Sequence, residues 1–177
     1  GFITSQYAML LAAKRPELFA RVLLMNTPLM PGHSLPGPLN TFTLPFVGKR
    51  AAAAADMLAA NGNFYGMGYS DAQVFQAPYE NPDTKEDARV ALMTTVTSQP
   101  MKDLLTTVDR AYEGFKNPVL VLWGDSDKYL NSKTFYDWCI EKGTNVKFKV
   151  LQTGHMPQED YAGEAASRAM EFFEKEF

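Results

Sequence analysis

The chain is poor in the features that mark several specialised protein classes. Its 177 residues include one cysteine, Cys139, so an internal disulfide is excluded. Its longest apolar runs, such as Val119–Trp123, are far below the ~20 residues that a membrane-spanning helix needs. The formal net charge of −3 is small and no basic cluster is present. We therefore expect neither a membrane span nor binding to nucleic acid.

What the sequence does contain is typical of a soluble globular protein. Hydrophobic residues make up 46% of the chain and charged residues 21%, which suits one domain with or without a modest lid. Cys139 lies in the apolar stretch 135–140, where the pattern predicts a helix and a buried structural thiol. His33 lies in a segment rich in proline and glycine, so we expect it to be exposed and to have no chemical role.

Apolar runs predict strands that alternate with helices. The predicted strands cover residues 22–25, 118–123 and 146–151, and the predicted helices cover 5–15, 49–60, 83–97, 100–113, 132–142 and 163–176. Asp83 and Glu86 have the spacing of a capping box at the start of the third helix. Residues 28–45 are rich in proline and indicate an extended crossing loop. The alternation predicts an α/β protein whose parallel sheet is wound by right-handed crossovers.

Three strands do not complete such a sheet, because one apolar edge would have no partner. We therefore expect further core strands before Gly1 and interpret the chain as the C-terminal part of a longer protein. No signal or transit peptide is visible in the sequence, which begins without an initiator methionine.

The candidate reactive residues follow the second and third strands. Reactive groups of parallel α/β sheets gather at the carboxyl ends of the strands. Asp127 follows the second strand and His155 the third, which is the acid-then-histidine order of a hydrolase triad. A carboxylate one strand away can fix the tautomer of the histidine and stabilise its imidazolium form. Asp125 lies two residues before Asp127, but no further ligand-type residue with metal-site spacing is near, so no metal site is expected.

Two segments resemble α/β-hydrolase-fold proteins of the epoxide hydrolase and haloalkane dehalogenase type. Residues 118–129, PVLVLWGDSDKY, resemble the acid-bearing strand and turn, which implies Asp127 as the acid. Residues 151–159, LQTGHMPQE, resemble the histidine loop, which implies His155 as the base.

The resemblance also implies a domain organisation. Residues 1–29 resemble the nucleophile elbow, its helix and the next strand, and together with residues 115–177 they imply the C-terminal part of a parallel α/β-hydrolase sheet. Residues 30–114 would form a mainly helical cap inserted into that core. The aromatic segment Gly62–Tyr69 would then either pack inside the cap or line a pocket for a small apolar ligand or a surface for a protein partner.

The match departs from the family at the elbow. The family places a serine or aspartate on a tight turn written G-x-S-x-G. Counting from Gly1 puts Ile3 at the nucleophile position, and counting back from Pro16 puts Phe2 there. Neither side chain can attack a carbonyl. Ser5 could serve only if the turn were rearranged, and a nucleophile before Gly1 is the remaining alternative.

Three functions are compatible with these residues. The sequence favours a catalytically impaired hydrolase-fold protein that acts as a binding or scaffold subunit of a larger assembly and contacts partners through its cap. The alternative is an active serine-type hydrolase of small esters or epoxides that uses Asp127, His155 and Ser5. A third possibility is a ligand receptor or cofactor-free lyase with His155 as general base. None of the three requires a cofactor. The run of residues 1–7 also resembles plant and algal hydrolase-like proteins with a similarly altered elbow, which implies a plastid location.

Overall fold

The computed structural model describes residues 3–35, 37–46 and 69–175. The helices are α1 (Thr4–Lys14), α2 (Gly37–Asn40), α3 (Tyr69–Glu80), α4 (Lys85–Thr97), α5 (Met101–Tyr112), α6 (Ser132–Lys142), α7 (Pro157–Asp160) and α8 (Ala162–Glu174). The strands are β1 (Val22–Met25), β2 (Val119–Gly124) and β3 (Val146–Leu151), and short 3-10 turns cover Pro16–Leu18 and Thr41–Thr43. Across the described ranges, no helix is both long enough and apolar enough to cross a bilayer.

The strands form a parallel sheet with β2 at its centre. The order is β1-β2-β3, with Val119 beside Val22 on one side and beside Val146 on the other. Every residue of β2 is buried, whereas most of β3 is partly or fully exposed. This difference explains why β2 is an unbroken apolar run in the sequence and β3 mixes lysines with apolar residues. The predicted parallel sheet is confirmed.

The two faces of the sheet are covered by different helices. Alternate residues of β2, including Val121 and Trp123, pack in the larger apolar cluster with residues of α1, α5 and α6. Leu120 and Leu122 point to the other face, where Phe172 of α8 covers them. Arg21 places its guanidinium over the Phe172 ring, 5.6 Å from the centroid, and donates to the Phe172 carbonyl. The last helix is thereby fastened to the residue just before β1.

Some local predictions are wrong. The capping box does not form, because α4 begins at Lys85 with Thr84 as its N-cap and no side-chain cap bond. Asp83 instead belongs to the preceding turn, where its amide donates to Asn81 Oδ1 at 2.9 Å. The crossing loop predicted for residues 28–45 contains α2 and the turn at Thr41–Thr43.

Other segments lie outside the prediction or outside the described residues. Helix α3 was not predicted, because Pro78 interrupts its pattern. The helix predicted for residues 49–60 and the irregular segment up to residue 68 lie outside the described part of the chain. Tyr69, the last residue of the aromatic segment, begins α3.

Candidate functional site

The carboxyl ends of all three strands are joined by hydrogen bonds. The amide of Gly124, the last residue of β2, donates to Asn26 Oδ1 beyond the end of β1 at 3.0 Å. On the other side, the Ser126 amide donates to the Thr153 carbonyl beyond the end of β3 at 3.0 Å. These bonds bring the acid turn, residues 124–131, beside the histidine loop, residues 152–156.

Gly124 is needed for this close approach. A Cβ at this position would lie 2.0 Å from the Gly154 carbonyl oxygen and 2.5 Å from the Thr153 carbonyl oxygen. No real Cβ tolerates such distances to backbone, so any other residue would push the two loops apart. The glycine of the acid motif therefore sets the spacing between Asp127 and His155.

Asp127 is the centre of a buried hydrogen-bond network. Its side chain has an exposed fraction of 0%. Oδ1 accepts from the amides of Tyr129 and Leu130 at 2.8 and 3.1 Å. Oδ2 accepts from Asn26 Nδ2 at 2.6 Å and contacts His155 Nδ1 at 2.8 Å. Burial acts to raise the pKa of Asp127, but the hydrogen bond and charge of His155, with the Tyr129 amide and Asn26, outweigh it and lower the pKa below its ordinary value.

His155 is oriented by this carboxylate. Its side chain is 14% exposed. Because an ionised carboxylate can only accept, Nδ1 carries the proton of the neutral ring and Nε2 carries the lone pair. The Tyr129 ring meets the imidazole edge-on, with centroids 5.9 Å apart and an interplanar angle of 90°. The predicted acid and histidine are therefore in direct contact, with Nε2 as the basic nitrogen.

Asn26 and Asp160 are two site residues that the sequence reasoning missed. Asn26 is 1% exposed and has φ 43°, a left-handed conformation that asparagine tolerates better than most residues. This conformation lets one amide group bind both the Gly124 amide and Asp127. Asp160 is 7% exposed and accepts from the Gly154 amide at 2.7 Å, which fixes the histidine loop. A polar residue directly after an apolar strand is the only sequence signal that could have pointed to Asn26.

Ile3 occupies a strained turn at the start of α1. It is 7% exposed and has φ 69° and ψ −64°, a conformation in which a β-branched residue is a genuine outlier. Its carbonyl accepts from the amides of Gln6 and Tyr7 at 3.1 and 3.3 Å, so it is the N-cap of the helix. Ser5 lies two residues further on, half-buried in the first turn of α1. Phe2, the other candidate for the nucleophile position, lies outside the described residues.

The remaining candidates have structural surroundings. His33 is half-buried and its Nε2 lies 3.3 Å from the Asn131 carbonyl, so the expectation of an exposed histidine is wrong, while the absence of a chemical role stays a prediction. Cys139 is partly buried, and burial raises the pKa of its thiol to about 12. Asp125 is exposed and accepts from the Ser126 hydroxyl at 3.1 Å. Within the described ranges, no group of three or more histidine, cysteine, aspartate or glutamate side chains has the geometry of a metal site.

The comparisons identify solved structures that are similar to this chain. No family model matches the chain, and no curated protein matches it significantly. The haloalkane dehalogenase DbeA from Bradyrhizobium elkani USDA94 superposes with a TM-score of 0.73 at 17% identity, covering 96% of this chain and 63% of that one. The protein DbjA gives 0.72 at 17% identity, covering 96% and 65%.

A third similar structure comes from a different group of enzymes. It is 2-hydroxy-6-oxo-6-phenylhexa-2,4-dienoate hydrolase, BphD, from Rhodococcus sp. strain RHA1, with a TM-score of 0.69 at 17% identity, covering 96% of this chain and 60% of that one. The chain thus spans less than two thirds of the length of each of these structures. At this level of identity the likeness establishes the fold and leaves activity open.

Proposed function

We propose that this chain, which has an α/β-hydrolase fold, is a catalytically impaired member of that fold that binds a partner or ligand instead of hydrolysing a substrate. The observation that carries the proposal is the apolar side chain of Ile3 on the strained turn that opens α1. In active hydrolases of this fold the nucleophile occupies a sharp, strained strand-to-helix turn. The positive φ of Ile3 favours it over Phe2 as the residue at that position.

An isoleucine at the nucleophile position would remove covalent catalysis. Covalent catalysis by this fold needs a hydroxyl, thiol or carboxylate that attacks the substrate. A histidine takes up the proton of the attacking hydroxyl or thiol, or, with a carboxylate nucleophile, the proton of the water that hydrolyses the covalent intermediate. Isoleucine offers none of these groups. Loss of the attacking residue from a triad lowers kcat by roughly six orders of magnitude in a well-studied case.

The persistence of Asp127 and His155 is compatible with this proposal. Three of the four groups bound by the Asp127 carboxylate have no place in a triad: the Asn26 amide and the backbone amides of Tyr129 and Leu130. These bonds shape the acid turn and connect it to β1. Replacing the acid would leave buried donors without partners, so a structural role is sufficient to retain it.

The activity test uses the intact protein and a short-chain p-nitrophenyl ester. We expect the rate with wild type to equal the rate with the His155→Ala variant, because a base without a nucleophile adds little to ester hydrolysis. Turnover that depends on His155 would contradict the proposal. For the binding role, we expect the natural protein to be recovered in a stable complex that buries more than ~1,000 Å², and a monomer with no partner or ligand would contradict that part.

The second candidate is a serine-type hydrolase of small esters or epoxides. The bond between Asp127 Oδ2 and His155 Nδ1 favours it, because this bond leaves the ring oriented with a basic Nε2. Ser5 would then be the nucleophile, after a rearrangement of the first turn of α1. Labelling by a fluorophosphonate probe that is lost in Ser5→Ala, but kept in a Thr4→Ala control, would establish this function.

The proposed contact surface for partners is the cap, residues 30–114. Its aromatic segment Gly62–Tyr69 lies almost entirely outside the described residues, so its role stays a prediction, as does the plastid location. Replacing Phe64 and Tyr65 by serine should weaken a cap-mediated complex. The same change at Tyr136, an exposed residue of α6 outside the cap, should leave the complex intact.

A further inference from the structure

Two buried nitrogen atoms belong to the neighbouring rings of Trp123 and His33. Trp123 Nε1 and His33 Nδ1 are both buried, and neither has a hydrogen-bond partner among the residues that the structure describes. Their rings are neighbours, with centroids 6.1 Å apart and an interplanar angle of 45°. Buried polar groups without partners are rare in native proteins, and such groups commonly mark an ordered water or a bound polar molecule.

The two atoms have complementary chemistry. His33 Nε2 faces the Asn131 carbonyl at 3.3 Å, and a carbonyl only accepts, so Nε2 carries the proton and Nδ1 carries a lone pair. The indole Nε1 of Trp123 can only donate. Burial lowers the pKa of His33, although the Asn131 carbonyl and the charge of Asp127 act to raise it, which favours the neutral ring.

We propose that Trp123 Nε1 and His33 Nδ1 form a two-point binding site for one hydroxyl oxygen, supplied either by a bound water or by the hydroxyl group of a small ligand. The occupant accepts from the indole and donates to the imidazole. A hydroxyl oxygen can do both at once. A carboxylate or phosphate oxygen only accepts and would leave His33 Nδ1 unsatisfied, and a metal cation would be repelled by the indole N–H.

Both rings are held in place by their surroundings. Trp123 is 0% exposed, and its indole stacks on Phe135 with centroids 5.1 Å apart. Aromatic packing on this scale prevents the indole from turning to another partner. His33 is held through Asn131, whose own side chain caps α6 by accepting from the Lys133 amide at 2.8 Å.

The occupant would connect the loop after β1 to the end of β2. His33 lies on that loop, whose neighbours Met30 and Leu35 are buried, and Trp123 lies four residues before Asp127. The bridge would therefore hold the loop against the acid turn at a second point besides the contact of His33 with Asn131. This inference does not depend on whether the chain hydrolyses a substrate.

The experiment is NMR spectroscopy of the ¹⁵N-labelled intact protein. The chain has two tryptophans, so the Trp138→Phe variant assigns the indole resonance of Trp123. Trp138 is an internal reference, because its Nε1 donates to Asp109 Oδ1 at 2.8 Å. We expect the indole protons of both Trp123 and Trp138 to resonate downfield, and that of Trp123 to show a cross-relaxation peak to a bound water or hydroxyl. This peak should be lost in His33→Phe, while the Trp138 resonance is unchanged.

Titration with ethanol separates the two sources of the hydroxyl. A saturable shift of the Trp123 indole proton in wild type, absent in His33→Phe, would assign the site to an alcohol-type ligand. A water cross-peak that ethanol leaves unchanged would assign it to a buried water. The proposal is overturned if the Trp123 indole proton resonates upfield, in the range of an unbonded N–H, and shows no cross-peak under either condition. It is also overturned if a high-resolution crystal structure pairs either nitrogen with a protein group.

Discussion

Replacing Asp127 by asparagine should destabilise the fold even though the two side chains have the same shape. The Asp127 carboxylate accepts four hydrogen bonds, two at each oxygen. An amide has one oxygen, so its nitrogen must face two of these donors. If the nitrogen faces Asn26 Nδ2 and His155, the imidazole can change tautomer and accept, but Asn26 Nδ2 is left buried against another donor. If the nitrogen faces the backbone, the amides of Tyr129 and Leu130 lose their acceptor.

The expected loss follows from these contacts. One buried donor left unpaired costs about 1–3 kcal/mol. The remaining bonds lose their charge-assisted character, which roughly halves their strength. Together these effects predict that Asp127→Asn lowers the free energy of unfolding by about 2–4 kcal/mol at pH 7. The matched control is Asp125→Asn, an exposed carboxylate two residues away, which should change it by less than about 0.5 kcal/mol.

The pH dependence gives a second check on the same variant. The pKa of Asp127 is lowered in the folded state, so its contribution to stability is fully present above its unfolded pKa of about 3.9. The contribution is lost as the pH falls through the folded pKa, where the carboxyl is neutral in both states. Urea unfolding followed by circular dichroism should therefore show a deficit that is present between pH 7 and about pH 4 and that shrinks below about pH 4. A variant as stable as wild type at pH 7, or a deficit that persists undiminished at low pH, would refute this reasoning.

Three further predictions concern single positions. Asn26→Asp places a second carboxylate about 2.6 Å from Asp127 Oδ2, which raises the pKa of the carboxyl pair. The urea midpoint of this variant should therefore fall as the pH rises from 4 to 7. A midpoint that does not depend on pH would contradict the hydrogen-bond network. Gly124→Ala should lower the free energy of unfolding by more than about 3 kcal/mol, because the added Cβ would lie 2.0 Å from the Gly154 carbonyl oxygen. The control is Gly163→Ala, where an added Cβ meets nothing within 4 Å. This variant should raise the free energy of unfolding by at most about 1 kcal/mol. The raised pKa of Cys139, about 12, should make its alkylation by iodoacetamide at pH 8 much slower in the native protein than in urea, and equal rates would show that the thiol is not protected.

The strands were predictable because each is encoded locally. Val119–Trp123 is buried on both faces and forms an unbroken apolar run, and helix α6 matches its predicted bounds of Ser132–Lys142. The contact between Asp127 and His155 was predictable because each directly follows a strand in a recognisable motif, and their catalytic role stays a prediction. These features depend on a few neighbouring residues, which a sequence pattern records.

The missed features depend on contacts between residues far apart in the chain. The role of Asn26 arises from a left-handed backbone and from partners about 100 residues away, which no local pattern encodes. His33 lies in a segment typical of an exposed loop, yet that loop folds back onto Trp123. Helix α3 contains Pro78 near its end, and a proline disfavours a helix in a local pattern, so the pattern did not predict it.

The most direct measurement of the central claim is the intact mass of the protein after incubation with a fluorophosphonate probe, for wild type and for the Ile3→Ser and Phe2→Ser variants. An apolar residue at the nucleophile position predicts no adduct on wild type and one adduct on Ile3→Ser, which is lost when His155 is also replaced by alanine. An adduct on Phe2→Ser alone would move the nucleophile position by one residue. An adduct on wild type that depends on His155 would contradict the claim that this chain lacks a nucleophile.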